Sequence, residues 1–311
     1  MDPYLSVVVC TYIRTHRLIE CLKTLEEQTL DRSCFEVVIV TRGLSDEYEK
    51  QLSDFVNSTN LSTNRVRMPE DLAGVSAARN AGLKSAKGEI IHFLDDDTLA
   101  SPECLQSYVD VFKSTDALCV GGKILPKFVT PPPSWLRRSH WPFLGTLDLG
   151  DDICSFSYPS NFPVGANVAF RREVFERFGP FDEDLGVLGR RRADGDETDI
   201  CFRIQFAGGK LLYDPKALIY HCIEGDKLNK RWILRRALRL GKGSAILQLK
   251  HSPPITVIGS NLKSFFKKPD RLVTGAGKSQ DGPLHTRVFY FETKIALVLG
   301  YLLEMTKILF R

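Results

Sequence analysis

Three consecutive carboxylates, Asp95, Asp96 and Asp97, follow directly on the apolar run EIIHFL. Their negative charges repel one another, and a cation bound among them would offset that repulsion. Carboxylate oxygens suit Mg²⁺ or Mn²⁺, and Mg²⁺ usually binds through one or two carboxylates plus the phosphates of a substrate. The run therefore predicts a site for a divalent metal and a diphosphate. For an isolated run the alternative is a solvated acidic loop that caps the next helix.

A second acidic group lies in the segment DGDETDICFRI, where Asp196 and Glu197 stand side by side. A carboxylate placed near an acceptor hydroxyl can take its proton as a general base. Acids are also favoured in the first turn of a helix, so the local sequence leaves both interpretations open. His221 ends the short run ALIYH, and its imidazole is either a metal ligand or a structural side chain.

The elements that must position these residues alternate between strand and helix in the first half of the chain. Apolar runs separated by helical patterns predict parallel β-α-β units, with helices on both faces of the sheet. Ligands of such sheets bind beyond the carboxyl ends of the strands, where the aspartate run lies. The predicted strands are LSVVVCT, FEVVIVT, NRVRM, EIIHFL and ALCVGG, followed later by two short strands, KLLYDP and ALIYH.

Composition indicates a folded protein, because the 311 residues are 43% hydrophobic and 26% charged. A net charge of +4 does not indicate nucleic-acid binding. The eight cysteines include no CxxC pair, which favours reduced core thiols over a zinc or redox site. With neither a signal peptide nor a membrane span apparent, we expect a cytoplasmic protein, with peripheral contact on the inner face of the membrane as an option.

The strand and helix alternation stops after Lys123, and we expect two domains, residues 1–225 and a helical region at 226–311. Residues 126–158 read as an irregular loop over the site, in which Trp135 and Trp141 either stack on a bound substrate or anchor the loop. A basic helix at 227–250 either lies on an anionic membrane or packs on the domain. Residues 252–285 read as a linker, and a terminal helix at 286–311 suits membrane contact, domain packing or a homodimer.

Five segments in order resemble glycosyltransferase family 2. They are LSVVVCTYIR, FEVVIVTRGLSDE, VSAARNAGLKSAKGEIIHFLDDDT, GANVAFRREVFERFGPFDEDLG and GDETDICFRI…YDPKALIYH. The resemblance implies a GT-A fold, an α/β Rossmann-like and mostly parallel sheet flanked by helices. It also implies an inverting, metal-dependent hexosyltransferase that moves a sugar from a nucleoside-diphosphate donor to a hydroxyl of a saccharide or lipid-linked acceptor, in polysaccharide or glycolipid synthesis.

The resemblance also implies roles for individual residues. In the DxD motif, Asp95 would face the ribose and Asp97 the Mn²⁺ or Mg²⁺ ion, with His221 completing the metal site. Glu197 falls on the general base of the family's Glu-Asp pair, but the order here is Asp-Glu, so Asp196 is the alternative. The remaining residues expected at the donor are Thr11, Tyr12, Arg14, Arg42, Arg79, Asn80 and Asp96.

One departure concerns the nucleotide base. The family usually carries two acids after the second strand, whereas this chain has Thr41, Arg42 and Gly43. An arginine only donates hydrogen bonds, so Arg42 can contact a phosphate or base carbonyls but cannot replace an accepting carboxylate. UDP stays the first expectation, with GDP and dTDP open. The alternatives are an inactive nucleotide-binding scaffold and a nucleotidyltransferase, although CTYIRTHR lacks the glycines of a phosphate loop.

Overall fold

The computed structural model describes residues 2–12, 15–69, 74–156, 161–185, 195–251 and 284–309. The chain divides into two compact units. The first comprises residues 1–127, 145–184 and 196–222, and the second comprises 128–144, 185–195 and 223–311. The predicted linker at 252–285 lies outside the described residues except for its last two.

The elements of the first unit begin with strands and helices in alternation, as the sequence predicts. They are β1 (Leu5–Tyr12), α1 (Thr15–Glu26), β2 (Phe35–Arg42), α2 (Asp46–Ser58), β3 (Thr63–Arg67), α3 (Val75–Ser85) and β4 (Ile90–Asp95). The elements that follow are β5 (Thr98–Ala100), α4 (Cys104–Ser114), β6 (Cys119–Phe128), β7 (Cys154–Ser155), β8 (Asn167–Arg171), α5 (Glu173–Phe178), α6 (Asp196–Phe206) and β9 (Leu211–Ile223).

The nine described strands form one sheet in the order β3-β2-β1-β4-β8-β6-β9-β5, with β7 paired to β9. The pairs among β3, β2, β1 and β4 are parallel. The Val- and Ile-rich runs of β1, β2 and β4 are buried, as expected for strands covered on both faces. Apolar side chains from α1, α2 and α4 pack on one face, and those from α3, α5 and α6 pack on the other.

The other half of the sheet is antiparallel, which alternation alone did not predict. β8 pairs antiparallel with both β4 and β6, so the predicted fifth parallel strand, ALCVGG, runs antiparallel to its neighbour. The two predicted short strands near the end are one strand, β9. Pro215 lies between the part of β9 that pairs with β7 and the part that pairs with β5, where a missing N–H is tolerated.

The second unit contains two long helices, α7 (Lys230–His251) and α8 (Leu284–Leu309), close to the bounds predicted from sequence. Its core joins α7 and α8 to a 3₁₀ turn at Arg138–Leu144, through Phe143, Leu144, Ile233 and Phe289 among others. Among the described helices, none has the length and apolar composition that a membrane span requires.

Candidate active site

The aspartate run lies where three parallel strands end together. Register places Cys10 beside Asp95 and Tyr12 beside Arg42, so the ends of β4, β1 and β2 form one edge. The loop after β4 is held at fixed points. The Thr11 hydroxyl donates to Asp96 at 2.5 Å, and the Thr98 hydroxyl donates to the Asp95 carbonyl at 2.6 Å.

Asp97 meets His221 because β5 pairs antiparallel with β9, which sets Thr98 opposite His221. The Asp97 carboxylate oxygen Oδ1 lies 3.2 Å from His221 Nε2, and the Cys222 N–H donates to the Asp97 carbonyl at 2.8 Å. His221 Nδ1 is buried and has no hydrogen-bond partner among the described residues. A carboxylate oxygen and an imidazole nitrogen therefore converge at one point.

That pair of donors fits a divalent ion that takes its other ligands from phosphate and water. Mg²⁺ characteristically keeps several waters and binds few carboxylates, and imidazole extends the range to Mn²⁺. No cluster of three or more His, Cys, Asp or Glu side chains suited to a metal occurs in the part of the chain that the structure describes. Asp97 and His221 could therefore contribute two ligands to such an ion.

Arg79 connects the two acidic groups from the buried face of α3. Its Nη1 donates to Asp196 at 2.9 Å, and its Nη2 donates to the Gly165 carbonyl at 3.0 Å. Nη2 also lies 3.5 Å from Asp95 Oδ1. Burial works to lower the pKa of Arg79, but the carboxylates of Asp196, Asp95 and Glu197 outweigh burial and raise it. The guanidinium is therefore a fixed positive charge inside the site.

Asp196 and Glu197 begin α6, yet their environments differ. The Asp196 side chain is 4% exposed and accepts hydrogen bonds from the Arg79 guanidinium and, at 3.1 Å, from the Ser76 hydroxyl. The Glu197 side chain is 18% exposed, accepts from the Gly165 N–H at 3.3 Å, and lies 3.9 Å from Arg79. Burial, reinforced by the neighbouring Asp196 charge, raises the pKa of Glu197.

The exposed Tyr12 and the half-buried Arg42 form a platform at the same edge of the sheet. The Arg42 guanidinium carbon lies 4.4 Å from the centre of the Tyr12 ring, within the range of a cation–π contact. Gly43 follows with φ of +64°, and a Cβ there would press on the Tyr12 ring at 3.3 Å. Arg14, predicted to contact the donor, lies outside the described residues.

Asn80 lies on α3 beside Arg79, but its amide is engaged in holding a neighbouring segment. Its Nδ2 donates to the Phe181 carbonyl and to Glu183, and its Oδ1 accepts from the Phe181 N–H, each at 2.9 Å. These contacts pull the segment after α5 onto α3. The buried amide makes these hydrogen bonds with protein groups, whereas the sequence suggested a contact with the nucleotide.

Two site residues, Ser76 and Gly165, were not predicted. Ser76 donates to Asp196, and a Cβ at Gly165 would lie 2.5 Å from an Arg79 guanidinium nitrogen, so only glycine leaves room for the arginine. An arginine on the inner face of an alanine-rich helix was the available signal, because a buried guanidinium requires acidic partners.

Trp135 and Trp141 both make aromatic contacts inside the second unit. The Trp135 ring centre lies 4.9 Å from that of Phe289, and the Trp141 ring centre lies 6.2 Å from that of Phe128. Both arrangements are edge-on, a geometry that aromatic pairs favour. These contacts match the alternative in which the two tryptophans anchor the irregular segment.

Comparisons with known proteins agree with the resemblance seen in the sequence. The chain is 26% identical over 250 residues to a glucosyl-dolichyl phosphate glucuronosyltransferase of Haloferax volcanii, covering 78% of this chain and 77% of that protein. It is 24% identical to the succinoglycan biosynthesis protein ExoM of Rhizobium meliloti, with 77% and 73% covered.

Two solved structures share the fold. The mannosyltransferase PcManGT from Pyrobaculum calidifontis, in complex with GDP-Man and Mn²⁺, aligns with a TM-score of 0.64 at 20% identity, covering 97% of this chain and 88% of that one. S. aureus TarS residues 1–349, in complex with UDP-GlcNAc, aligns with a TM-score of 0.55 at 16% identity, covering 100% and 93%. The GT-A fold predicted from sequence is thereby confirmed.

The family profile described as Glycosyl transferase family 2 matches residues 6–179. That stretch is more than half of the chain and includes Thr11, Arg79 and the aspartate run, although it ends before Glu197. The sequence match, the relatives and the shared fold give one answer, which confirms the predicted family: the chain belongs to glycosyl transferase family 2 and is a glycosyltransferase.

Proposed function

We propose that this glycosyltransferase moves a sugar from a nucleoside-diphosphate donor to an acceptor hydroxyl with inversion of the anomeric centre. The observation that carries the proposal is the Arg79 guanidinium, which contacts both Asp95 of the aspartate run and the Asp196 carboxylate beside Glu197. Asp95, which would face the ribose of the donor, and Glu197, which is suited to removing a proton, therefore lie around one buried guanidinium. Transfer of a glycosyl group requires both a bound donor and a group that removes the proton of the acceptor.

Glu197 is the general base in this proposal, and Asp196 is a positioning residue. Asp196 already accepts hydrogen bonds from Arg79 and Ser76 and is nearly inaccessible. Glu197 is more exposed, and its raised pKa makes it a stronger base than an ordinary carboxylate. The Gly165 N–H donates to Oε1 of Glu197, and Oε2 lies 3.9 Å from the Arg79 guanidinium.

The reaction would be a single displacement. Glu197 takes the proton of the acceptor hydroxyl, and the oxygen of that hydroxyl forms a bond to the anomeric carbon of the donor sugar. The bond from that carbon to the phosphate oxygen breaks, and the nucleoside diphosphate leaves with the electron pair. Attack on the face opposite the leaving group inverts the anomeric configuration.

Asp97 and His221 would hold the divalent ion, with the diphosphate oxygens completing its shell. A bound Mn²⁺ or Mg²⁺ supplies positive charge that offsets the charge of the departing diphosphate. Asp95 is 40% exposed and would accept hydrogen bonds from the ribose. Thr11 supports this arrangement because its hydroxyl holds Asp96.

We assign the nucleotide base to the platform formed by Tyr12 and Arg42. The stacked guanidinium presents N–H donors at the edge where β1 and β2 end, which suits carbonyl oxygens of a base or a phosphate. The two solved structures are complexes with GDP-Man and UDP-GlcNAc, so both bases occur within this fold. UDP remains the first expectation, with GDP and dTDP open.

The acceptor in this proposal is a saccharide or a lipid-linked saccharide. One relative is named for a dolichyl phosphate glucoside and another for succinoglycan biosynthesis. The first name includes a dolichyl phosphate, which supports a lipid-linked acceptor, and the second concerns synthesis of succinoglycan, which supports a saccharide acceptor.

Calorimetric titration of UDP, GDP and dTDP in the presence of Mn²⁺, followed by a donor and acceptor panel, tests this proposal. We expect metal-dependent binding of one nucleotide and transfer from its sugar. Binding without transfer or donor hydrolysis across the panel would favour the scaffold alternative. Incorporation of a nucleotidyl group into the product would favour the nucleotidyltransferase. Absence of nucleotide binding by folded protein would contradict the whole site assignment.

A further inference from the structure

Residues Val164 to Asn167 form a turn that leads into β8. The Asn167 N–H donates to the Val164 carbonyl at 3.0 Å, which closes the turn. Between these two ends, the Gly165 N–H donates to Glu197 at 3.3 Å, and the Gly165 carbonyl accepts from Arg79 at 3.0 Å. One short turn therefore contacts both the proposed base and the buried arginine beside it.

The same turn touches the strand that ends in the aspartate run. The Asp95 N–H donates to the Ala166 carbonyl at 3.3 Å, and the neighbouring pair in register is Leu94 with Asn167. These contacts continue the antiparallel pairing of β4 and β8 into the site. The backbone position of the turn therefore affects both acidic groups and the arginine between them.

The Asn167 side chain is fully buried and uses the whole hydrogen-bonding capacity of its amide. Its Nδ2 donates to the Ala217 carbonyl of β9 at 2.8 Å and to the Lys123 carbonyl of β6 at 3.3 Å. Its Oδ1 accepts from the Tyr108 hydroxyl of α4 at 2.8 Å and lies 2.9 Å from His92 Nε2 of β4. Because Oδ1 only accepts, His92 donates to it through Nε2. One amide thus joins the start of β8 to four other elements.

Gly122 leaves the space that this arrangement needs. The strand β6 lies between β8 and β9 in the sheet, so the Asn167 amide reaches Ala217 past a residue of β6. A Cβ on Gly122 would lie 2.1 Å from both Asn167 Nδ2 and the Ala217 carbonyl oxygen, far inside van der Waals contact. A glycine inside a strand weakens the strand and often marks a close approach, which here is that of the Asn167 amide.

We propose that Asn167 is a positioning residue of the transfer reaction, whose buried amide fixes the turn that contacts Glu197 and Arg79. The inference rests on the proposed role of Glu197 as the base. Backbone groups make the pairing of β4 with β8, so the amide adds anchors on β6, β9 and α4 at the end of β8 that carries the turn. Such anchors matter for rate, because a displacement of about 1 Å in an active site can cost about a hundredfold.

The titration of Glu197 reports on this positioning. Among the described residues, the charged and titratable groups around its carboxyl are Arg79, which lowers its pKa, Asp196, which raises it, and Cys201, one turn along α6. The aspartate run lies beyond the arginine. A hydrogen bond from the Gly165 N–H favours the charged carboxylate, so withdrawal of that donor should raise the pKa of Glu197.

NMR titration of isotope-labelled glutamate carboxyls measures this pKa, with the signal assigned from its absence in Glu197→Gln. We expect Asn167→Ala to move the Glu197 midpoint to higher pH by about half to one unit, as for the loss of one hydrogen bond. Ser6→Ala is the matched control, because Ser6 also makes buried hydrogen bonds but lies at the other end of β1 from the site. Ser6→Ala should lower stability and leave the Glu197 midpoint unchanged.

The titration needs no substrate, so it tests Asn167 even if the chain transfers no sugar, and absence of transfer would count only against the proposed function. With a donor and acceptor in hand, Asn167→Ala should lower kcat roughly tenfold to hundredfold with the donor KM nearly unchanged.

Asn167→Ser keeps a hydroxyl near the Tyr108 and His92 donors and is the milder variant if Asn167→Ala does not fold. It should move the Glu197 midpoint in the same direction. Three results would overturn the inference: a Glu197 pKa that is unchanged or lower in the folded Asn167 variants, an equal rise in Ser6→Ala, or no folded protein from either Asn167 variant. The last result would make Asn167 a residue of stability alone.

Discussion

Two short runs of acids, Asp95–Asp97 and Asp196–Glu197, end up in contrasting surroundings. Asp95 keeps 40% of its side chain exposed, and the loop that carries it is held mainly by hydrogen bonds from hydroxyl groups. Asp196 keeps 4%, lies under a buried arginine, and helps to raise the pKa of its neighbour Glu197. The exposed Asp95 can contact a bound donor, whereas the buried Asp196 is suited to raising the proton affinity of Glu197.

Arg79 is the residue that makes the contrast possible. One guanidinium contacts both runs, at 2.9 Å to Asp196 and 3.5 Å to Asp95. A buried carboxylate without such a partner would be strongly destabilising, so the second run depends on Arg79 for its burial. The first run, with its greater exposure, depends on Arg79 far less.

Removing that arginine should have the largest effect. We expect Arg79→Ala to lower the free energy of unfolding by about 3–5 kcal/mol, because Asp196 would remain buried without its partner. Urea denaturation measures the change. Arg65→Ala is a matched control, because Arg65 pairs with Glu49 on the surface, and such pairs contribute about 0–1 kcal/mol. Equal losses in the two variants would contradict the structural role of Arg79.

The role of Asp97 in the first run should be tested by loss of metal-dependent nucleotide binding. We expect Asp97→Asn to weaken Mn²⁺-dependent nucleotide binding by at least about tenfold, the lower range seen when even an outer partner of a metal ligand is removed. Calorimetry with and without Mn²⁺ measures it, with the exposed Asp54→Asn as control. Unchanged binding in Asp97→Asn would remove Asp97 from the proposed metal site.

The raised pKa of Glu197 should determine the pH dependence of transfer. Because burial and Asp196 raise the pKa of Glu197, the base is protonated at low pH, and the rate should rise with pH through a pKa above the ordinary carboxyl range. Asp196→Asn removes one cause of the raised pKa and should move this acid limb to lower pH. An acid limb at the ordinary pKa, unmoved by Asp196→Asn, would show that another group limits the rate.

The smallest effect should be on the preference of the enzyme for one nucleotide base over another. We expect Arg42→Ala to change affinity for the preferred nucleotide by roughly twofold to fivefold, as for an exposed cation–π contact. Arg42→Lys keeps the charge but loses the planar donors and the stacking. If both variants lose affinity for only one of the nucleotides, Arg42 contacts the nucleotide base. An equal loss for UDP, GDP and dTDP, restored by lysine, would place Arg42 at the phosphates instead.

Much of the sheet could be predicted because strand signals are local. The apolar runs of β1, β2 and β4 required only the residues themselves, and their bounds agree with the structure to within a residue or so. The pairing of β6 and β8 could not be predicted in this way. Antiparallel pairing of two strands that lie far apart in the chain is fixed by packing that no local pattern encodes.

The candidate site likewise has features that could be predicted from the sequence and features that could not. The aspartate run stands out in sequence because adjacent charges are rare at the end of an apolar strand. That Arg79 would bind Asp196 was not apparent, since 117 positions separate them in the chain. The resemblance to glycosyltransferase family 2 led us to expect Asp97 and His221 in one site. The two residues meet because β5 pairs with β9. Local chemistry is readable from sequence, while partners across the fold require the tertiary structure.

The measurement that tests the central claim most directly compares Glu197→Gln with Asp196→Asn, after a donor and acceptor are identified. Both transfer rate and donor affinity are measured. The account predicts that Glu197→Gln lowers the rate by about 10²–10⁴-fold with donor affinity retained, because it removes only the general base. At high pH, Asp196→Asn should reduce the transfer rate less than Glu197→Gln does. A Glu197→Gln enzyme that transfers sugar at nearly the wild-type rate would contradict the account.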